Sequence, residues 1–264
     1  MYLRAAHAEL SLPVLYEFIK SNPLGVLTTA LSSTEFPLLQ STHLPWVLDV
    51  TESPSSEASN PVGSKLRGHL ARVNPHAKAL VEAAKRVAED DAPKPIKLKE
   101  EVMILFTSSV NHYVTPKFYV KTKPSTGKVV PTWDYAAVQA YGTATIYFDP
   151  KSPATGAFLS KQIDDLSRLA EEDVMGYDSK EGRPGPWSVD DAPSSYVELL
   201  KKAILGIEID ITRLAGKWKM SQELGEEDRE GTINGFKQLG TPTASEIAKT
   251  IEQRGNLKSQ AAKK

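Results

Sequence analysis

Hydrophobic and polar residues alternate most clearly along residues 129–148. One set of alternating positions is apolar or small: Val138, Ala140, Gly142, Ala144, Ile146 and Phe148. The positions between them are Gln139, Tyr141, Thr143, Thr145 and Tyr147. A period of two over about ten residues is typical of a strand with one buried face. The segment is therefore predicted to be a strand of a sheet that covers a core.

Shorter apolar runs predict further strands at 25–31, 38–48, 66–71, 101–108 and 206–214. Pro45 lies inside the second of these, which indicates a sheet edge or a bulge because proline cannot donate to a strand ladder. The connections are rich in turn residues, and 51–64 and 89–99 read as surface loops. Several short strands with such connections favour an antiparallel barrel or sandwich.

Apolar stripes with a helical period predict the helices. They start at Ser11, Pro75, Pro153, Pro193, residue 228 and Thr241-Pro242. In the last helix, Glu246 is placed for a capping interaction with Thr243. The tail from Asn256 is polar and is predicted to fray.

Residues 65–81 read as a strand that runs directly into a helix. Asn74 is a favourable N-cap, and Pro75 stands at the first helical position, where proline is tolerated. Arg67, His69 and Arg72 come just before this helix. A helix N-terminus with an arginine beside it favours an anion, most often a phosphate. The alternative is that His69 is an ordinary strand histidine and Arg72 a surface charge.

The composition excludes several classes of protein. The 264 residues carry a formal net charge of −1, so no basic nucleic-acid surface is indicated. There is no cysteine, and the five histidines show no metal-ligand spacing, so no metal site is predicted. The N-terminus lacks the apolar core of a signal peptide, and no long apolar run is present. The expectation is a soluble cytoplasmic protein.

Two more stretches carry candidate chemistry. In residues 130–138, Trp133 and Tyr135 have flat faces that suit stacking on a planar ring, although aromatics beside a strand are more often core. Residues 216–222 offer two lysines, a hydroxyl and an amide after a strand, and their alternative reading is a polar loop.

Residues 68–75 read Gly-His-Leu-Ala-Arg-Val-Asn-Pro. This resembles the Gly-His-Leu-Ala-Arg-Ala-Asn-Pro motif of the bacterial PaiB family of FMN-binding negative transcriptional regulators. Four more stretches resemble that family in the same order: 1–2, 41–45, 130–142 and 207–222. The resemblance covers about residues 1–240, which is nearly the whole chain.

The resemblance implies an α+β fold, mainly an antiparallel six-stranded split β-barrel with flanking helices. The FMN-binding domain would span 1–240, and residues 241–264 would form a C-terminal helix and tail. It also implies a homodimer with FMN at the subunit interface. The phosphate maps to Arg72 and Asn74, and the ring to the strand of His69, near Ser41, Thr42 and His43. Candidates for the contribution from across the dimer are Thr132 and Trp133, or Lys219, Ser221 and Gln222.

Several positions depart from the family pattern, and two of them introduce carboxylates. Asp134 stands where the family has asparagine after the motif tryptophan, and Glu223 stands where the family has asparagine after Ser-Gln. A carboxylate near a flavin phosphate or pyrimidine would repel it or would need a cation nearby.

Three functions remain open at this point. The first is an FMN-dependent oxidoreductase or flavin reductase that acts on an unknown small molecule. The second is a transcriptional regulator of the PaiB type, although the near-neutral charge and the lack of a helix-turn-helix pattern speak against nucleic acid as a partner. The third is a flavin- or haem-binding protein without turnover. No general acid or base is evident, and His43 and His69 are expected to shape the pocket.

Overall fold

A computed structural model describes residues 1–50, 61, 63–88 and 94–261. Its strands are β1 (Ala8–Glu9), β2 (Leu24–Ala30), β3 (Leu39–Pro45), β4 (Val47–Asp49), β5 (Lys65–Ala71), β6 (Ile96–Thr107), β7 (His112–Val114), β8 (Thr132–Tyr147) and β9 (Ile204–Lys219). Its α-helices are α1 (Leu12–Ser21), α2 (Pro75–Val87), α3 (Thr122–Thr126), α4 (Pro153–Arg168), α5 (Ser194–Lys202), α6 (Glu226–Leu239) and α7 (Pro242–Ala261).

The chain divides into two compact units. The barrel unit comprises residues Ser11–Phe106 and Ala140–Leu214. The terminal unit comprises Met1–Leu10, Thr107–Gln139 and Ala215–Lys264. Strands β8 and β9 each contribute residues to both units.

The barrel unit is a curled antiparallel sheet. Its strand order is β3-β2-β6-β8-β9-β5-β4, so β3 and β4 are the two ends of the order. These end strands are joined in the chain through the single residue Trp46, which is 1% exposed. The sheet must therefore curl until its edges approach each other, although β3 and β4 are not paired. This arrangement confirms the split barrel, and the position of β3 confirms the edge predicted from Pro45.

The order includes seven strands, and β1 and β7 pair with β9 and β8, which makes nine in the described part of the chain. The resemblance implies six. The additional count comes from the short strands and from the break at Trp46, which divides the predicted strand 38–48 into β3 and β4. The α+β class and the antiparallel pairing are confirmed.

Period-two burial in β8 agrees with the sequence pattern. Ala140, Gly142, Ala144 and Ile146 are buried, while the residues between them are half-buried. Gly68 of β5 lies against the Trp46 ring, since a Cβ built there would lie 3.2 Å from two ring carbons. The glycine of the 68–75 motif thus makes room for the tryptophan that joins the two edge strands.

The terminal unit is built around its last two helices. Phe236 of α6 is fully buried, as are Ala244, Ile247 and Ile251 of α7. Arg254 of α7 forms an ion pair with Glu9 at 2.6 Å. Helix α7 therefore belongs to the packed core of this unit.

Several expectations need correction. Strand β9 continues to Lys219, so residues 216–219 are strand and the reading as a polar loop is wrong there. Residues 96–99 belong to β6 because their apolar residues, Ile96 and Leu98, are buried in alternation. Helix α7 continues to Ala261, beyond the expected fraying at 256. Its start is capped by the Thr241 hydroxyl, which accepts from Ala244 N at 3.2 Å. Most of the loop 51–64 and residues 89–93 lie outside the described residues.

The helix predicted at 153–172 is confirmed as α4, which a π-helical segment, Leu169–Val174, continues. Among the helices of the described chain, none is long and apolar enough to cross a membrane.

Candidate functional site

The corner between β5 and α2 forms as predicted. The Asn74 side chain accepts a hydrogen bond from His76 N at 2.9 Å, and Pro75 opens the helix. This bond satisfies one of the free N–H groups of the first turn, and Pro75 has none to offer. The start of α2 therefore retains fewer free donors than the sequence suggested.

Arg67 does not take part in an anion site. It is 3% exposed and donates to Asp49, to Asp165 at 2.6 Å, and to the Gln162 side chain at 3.2 Å. Its charge is neutralised by the two carboxylates, so Arg67 ties β5 to β4 and α4.

Arg72 differs from Arg67 in its hydrogen bonding. Its Nε and Nη2 atoms are buried and have no hydrogen-bond partner in the described structure. Burial lowers the pKa of the guanidinium, and the charge of Asp149 acts against that shift. A buried donor without an acceptor costs free energy, and arginine keeps its charge at ordinary pH. These atoms can bind an anion that supplies oxygen acceptors.

His76 connects this corner to the edge strand β3. Its Nε2 lies 2.9 Å from Thr29 Oγ1 and its Nδ1 lies 2.9 Å from Thr42 Oγ1. Burial lowers the pKa of His76 to about 4, so the ring is neutral at physiological pH. A neutral ring has one donor and one acceptor nitrogen, which means that one threonine donates and the other accepts. The structure thus brings Thr42 to the corner of Arg72 and Asn74.

The other predicted residues of β3 and β5 differ in exposure. Ser41 and His43 are exposed, and the Ser41 hydroxyl lies 2.9 Å from that of Thr28. His69 is half-buried with an unpartnered Nδ1, and burial lowers its pKa. The Gln40 Nε2 atom is likewise buried without a partner among the described residues. Sequence reasoning missed Gln40, which no local pattern distinguishes.

The terminal unit holds a second polar cluster, centred on Asp134. This residue is completely buried, and its Oδ2 accepts from Ser221 Oγ at 2.7 Å. Its Oδ1 has no hydrogen-bond partner in the described chain, although Lys219 Nζ lies 3.7 Å away. Burial raises the pKa of Asp134 to about 6, against the opposing effects of Ser221 and Lys219. The cation that this carboxylate needs is therefore present.

Lys219 forms hydrogen bonds with two of the predicted site residues of this unit. Its ammonium donates to Thr132 Oγ1 at 2.5 Å and to Trp133 O at 3.1 Å. The Trp133 ring is 51% exposed, and its Nε1 donates to Asn111 Oδ1 at 3.1 Å. The Trp133 ring is therefore half-exposed, with its centroid 6.2 Å from that of the Tyr113 ring, while the lysine is largely engaged within its own unit.

The loop after β9 is held by internal bonds. Ser221 adopts a left-handed φ of 55° and is 1% exposed. The Gln222 amide bonds Met220 N and Trp218 O, both at 2.6 Å. Glu223, the second departure from the family pattern, lies 3.0 Å from His7 Nε2. No local pattern indicates this contact, because 216 positions separate its two residues.

Residues 1–213 match the family described as "Putative FMN-binding domain". The chain belongs to this family. The resemblance to PaiB is confirmed as a distant one: "Protease synthase and sporulation protein PAI 2" of Bacillus subtilis is 24% identical over 253 residues, which cover 96% of this chain and 95% of that protein.

Two fungal proteins are more similar. An uncharacterized protein of Aspergillus fumigatus is 56% identical over 259 residues, 98% of this chain and 99% of the relative. An uncharacterized protein of Emericella nidulans is 53% identical over 258 residues, again 98% and 99%. FMN is the cofactor that the family assigns. The unpartnered guanidinium nitrogens of Arg72 fit its phosphate, which is an anion rich in acceptors.

Proposed function

We propose that this chain is an FMN-dependent oxidoreductase or flavin reductase, acting on a small molecule, that holds the phosphate of FMN at Arg72. The observation that carries the proposal is the pair of buried guanidinium nitrogens without a partner. A phosphate would give both of them an acceptor and would neutralise a charge that burial disfavours.

The ring of the flavin then follows β5 and β3. Thr42 and His69 are the half-buried residues along this path, and Ser41 and His43 are exposed. Asn74 contributes through the helix start that it caps, since its oxygen is already bonded to His76 N. The two histidines shape the pocket and are not assigned a proton transfer.

The functional form that we propose is a homodimer with FMN at the interface. The exposed face of Trp133 suits stacking on a flavin supplied by a second copy of the chain. Lys219 and Thr132 hold the strand that carries this ring, and Ser221 and Gln222 hold the loop beside it. Bound FMN would supply the electron transfer, while the protein supplies binding and orientation.

The first test is the absorbance spectrum of the purified protein after FMN addition and desalting. Flavin bands that persist through the column are expected. The affinity for FMN should then fall about 10- to 100-fold in Arg72→Ala, because a hydrogen bond to a charged group contributes about 1.5–3 kcal/mol. Arg86→Ala is the matched control, since Arg86 is an exposed arginine paired with Glu82.

Turnover is tested separately, by following the oxidation of NADH and NADPH by the loaded protein. A rate above that of free FMN supports the oxidoreductase. Retained FMN with no rate for any nicotinamide donor would instead favour flavin binding without turnover. An unchanged affinity in Arg72→Ala would remove Arg72 from the site.

A further inference from the structure

Two helices of the barrel unit begin with the same local pattern but differ in how their first turns are satisfied. Asn74 before α2 and Ser152 before α4 are both extended N-caps, and each is followed by proline. Asn74 caps its helix through His76 N, as described above. Ser152 makes no side-chain capping bond, and its hydroxyl, in a residue only 2% exposed, has no partner in the described chain.

Thr155, in the first turn of α4, is in a similar environment to Ser152. It is 1% exposed, and its Oγ1 also lacks a partner among the residues described. A buried hydroxyl without a partner costs about 1–3 kcal/mol. Two of them at one helix start, together with the free N–H groups and the positive end of the helix dipole, favour an anion.

The packing of α4 on β5 places this helix start near Arg72. The Gln162 amide donates to Arg67 O at 3.3 Å. Further toward the start of the helix, the Phe158 ring lies against Gly206, whose register partner in β5 is His69. The four residues from Gln162 to Phe158 cover ~6 Å of helix, and the two residues from Arg67 to His69 cover ~6.6 Å of strand. The helix and the strand therefore run antiparallel, and contacts advance by similar distances along both. Continued at the same rate, this alignment brings Ser152 level with Arg72.

Asp149 provides a second connection between Arg72 and the start of α4. Its charge acts on the Arg72 guanidinium, so it lies near that side chain. Its backbone oxygen accepts from Ser152 N at 3.1 Å. The turn that leads into α4 is therefore within electrostatic range of Arg72. The Asp149 Oδ1 atom is itself engaged by Lys151 N at 2.8 Å.

We propose that Arg72, Ser152 and Thr155 form one phosphate site at the start of α4, which takes the terminal phosphate of FMN. This inference rests on the proposed function and deepens it, because it moves the phosphate from the start of α2 to that of α4. Arg72 provides the charge, the two hydroxyls provide neutral donors, and the first turn of α4 provides backbone N–H groups.

The experiment compares FMN with riboflavin, which lacks only the phosphate. Dissociation constants are measured by quenching of flavin fluorescence in the full chain. Ser152→Ala and Thr155→Val should each weaken FMN binding about ten-fold and leave riboflavin binding unchanged. Thr232→Val is the control, because Thr232 is a fully buried threonine of the terminal unit whose hydroxyl bonds Asp228 O. It should change neither constant.

Ser152→Asp tests whether a loss of FMN binding comes from a damaged helix instead of the missing hydroxyl. Aspartate is a favourable N-cap, so this variant should fold and melt at or above the wild-type temperature. Its carboxylate would occupy the place of the phosphate, so FMN and riboflavin should bind equally. Inorganic phosphate at constant ionic strength should raise the melting temperature of the flavin-free wild type, and not that of Ser152→Asp.

The outcomes separate the two proposals. If Arg72→Ala weakens FMN binding while the variants at Ser152 and Thr155 bind FMN like the wild type, the site at α4 is overturned and the proposed function stands. If these variants weaken riboflavin as much as FMN, the site is also overturned, because the effect does not involve the phosphate. If neither they nor Arg72→Ala changes FMN binding, both proposals fail.

Discussion

Arg72 in the barrel unit is half-buried and Asp134 in the terminal unit is completely buried, and the two charged residues have opposite deficits. Among the residues that the structure describes, two buried donor nitrogens of Arg72 have no acceptor and one oxygen of Asp134 has no donor. The surroundings of Asp134 compensate it, since Ser221 donates to its other oxygen and Lys219 lies 3.7 Å away. No described carboxylate forms an ion pair with Arg72 within 4.0 Å.

The difference bears on which of the two clusters is the better candidate for a ligand site. A buried aspartate can reduce the cost of its charge by taking up a proton, and the pKa of Asp134 is raised to about 6. Arginine has no such route, because its guanidinium stays protonated. The anion that we propose at Arg72 would supply acceptors to its two nitrogens, whereas Ser221 and Lys219 compensate Asp134 within its own unit.

The largest expected effect contrasts Arg72 with Arg67, the satisfied arginine of β5. Arg67→Ala should lower the free energy of unfolding by about 3 kcal/mol, because it removes a buried side chain that donates to Asp49, Asp165 and Gln162. Arg72→Ala should cost no stability in flavin-free protein, since it removes an unpaired charge. Urea unfolding of both variants tests this, and an equal loss would contradict the contrast.

The next effect concerns pH and His76. Its pKa is about 4 in the folded chain against 6.5 for the free group, so the unfolded chain binds more protons between these values. Stability from this group is complete above pH 6.5 and is lost toward pH 4, by about 2–3 kcal/mol. His76→Gln should flatten this loss in unfolding measurements at pH 7 and 4.5. The same slope in both proteins would show that His76 is not its source.

The contribution of Asp134 to the free energy of unfolding should change with pH in the opposite direction. Its folded pKa is raised to about 6 from 3.8, so the folded chain binds more protons in this window and stability falls as pH rises through it. Asp134→Asn, which restores the residue of the family pattern, should be more stable than wild type at pH 8 by about 2 kcal/mol. The advantage should vanish near pH 4. An advantage that is independent of pH would exclude ionisation as the cause.

The smallest expected effect concerns the backbone at Ser221, the residue whose hydroxyl donates to Asp134. Ser221→Ala and Ser221→Gly both lose the hydroxyl bond, but only glycine adopts a φ of 55° without strain. The glycine variant should be about 1 kcal/mol more stable than the alanine variant in thermal unfolding. Equal stabilities would mean that the left-handed backbone at Ser221 carries no strain.

Local pattern predicted the elements well where a single face is buried. The alternation of β8 and the Asn74-Pro75 start of α2 are both present. Prediction failed at residues 216–219, where lysines and glycine suggested a loop. These residues are strand because β1 pairs with them, Ala8 with Lys217 and Glu9 with Gly216, and a pairing partner two hundred positions away leaves no local trace.

The sequence by itself determined the Asn74 cap of α2, the strand period of β8, the motifs that resemble PaiB and, through them, the cofactor. Only the tertiary structure decided which charges are satisfied. Arg67 and Arg72 are five positions apart in one motif region, yet Asp165, 98 positions from Arg67, pairs with the first, and no carboxylate in the described part of the chain pairs with the second. Local chemistry depends on residue type and spacing, whereas the free energy of a buried charge depends on partners that folding brings from distant parts of the chain.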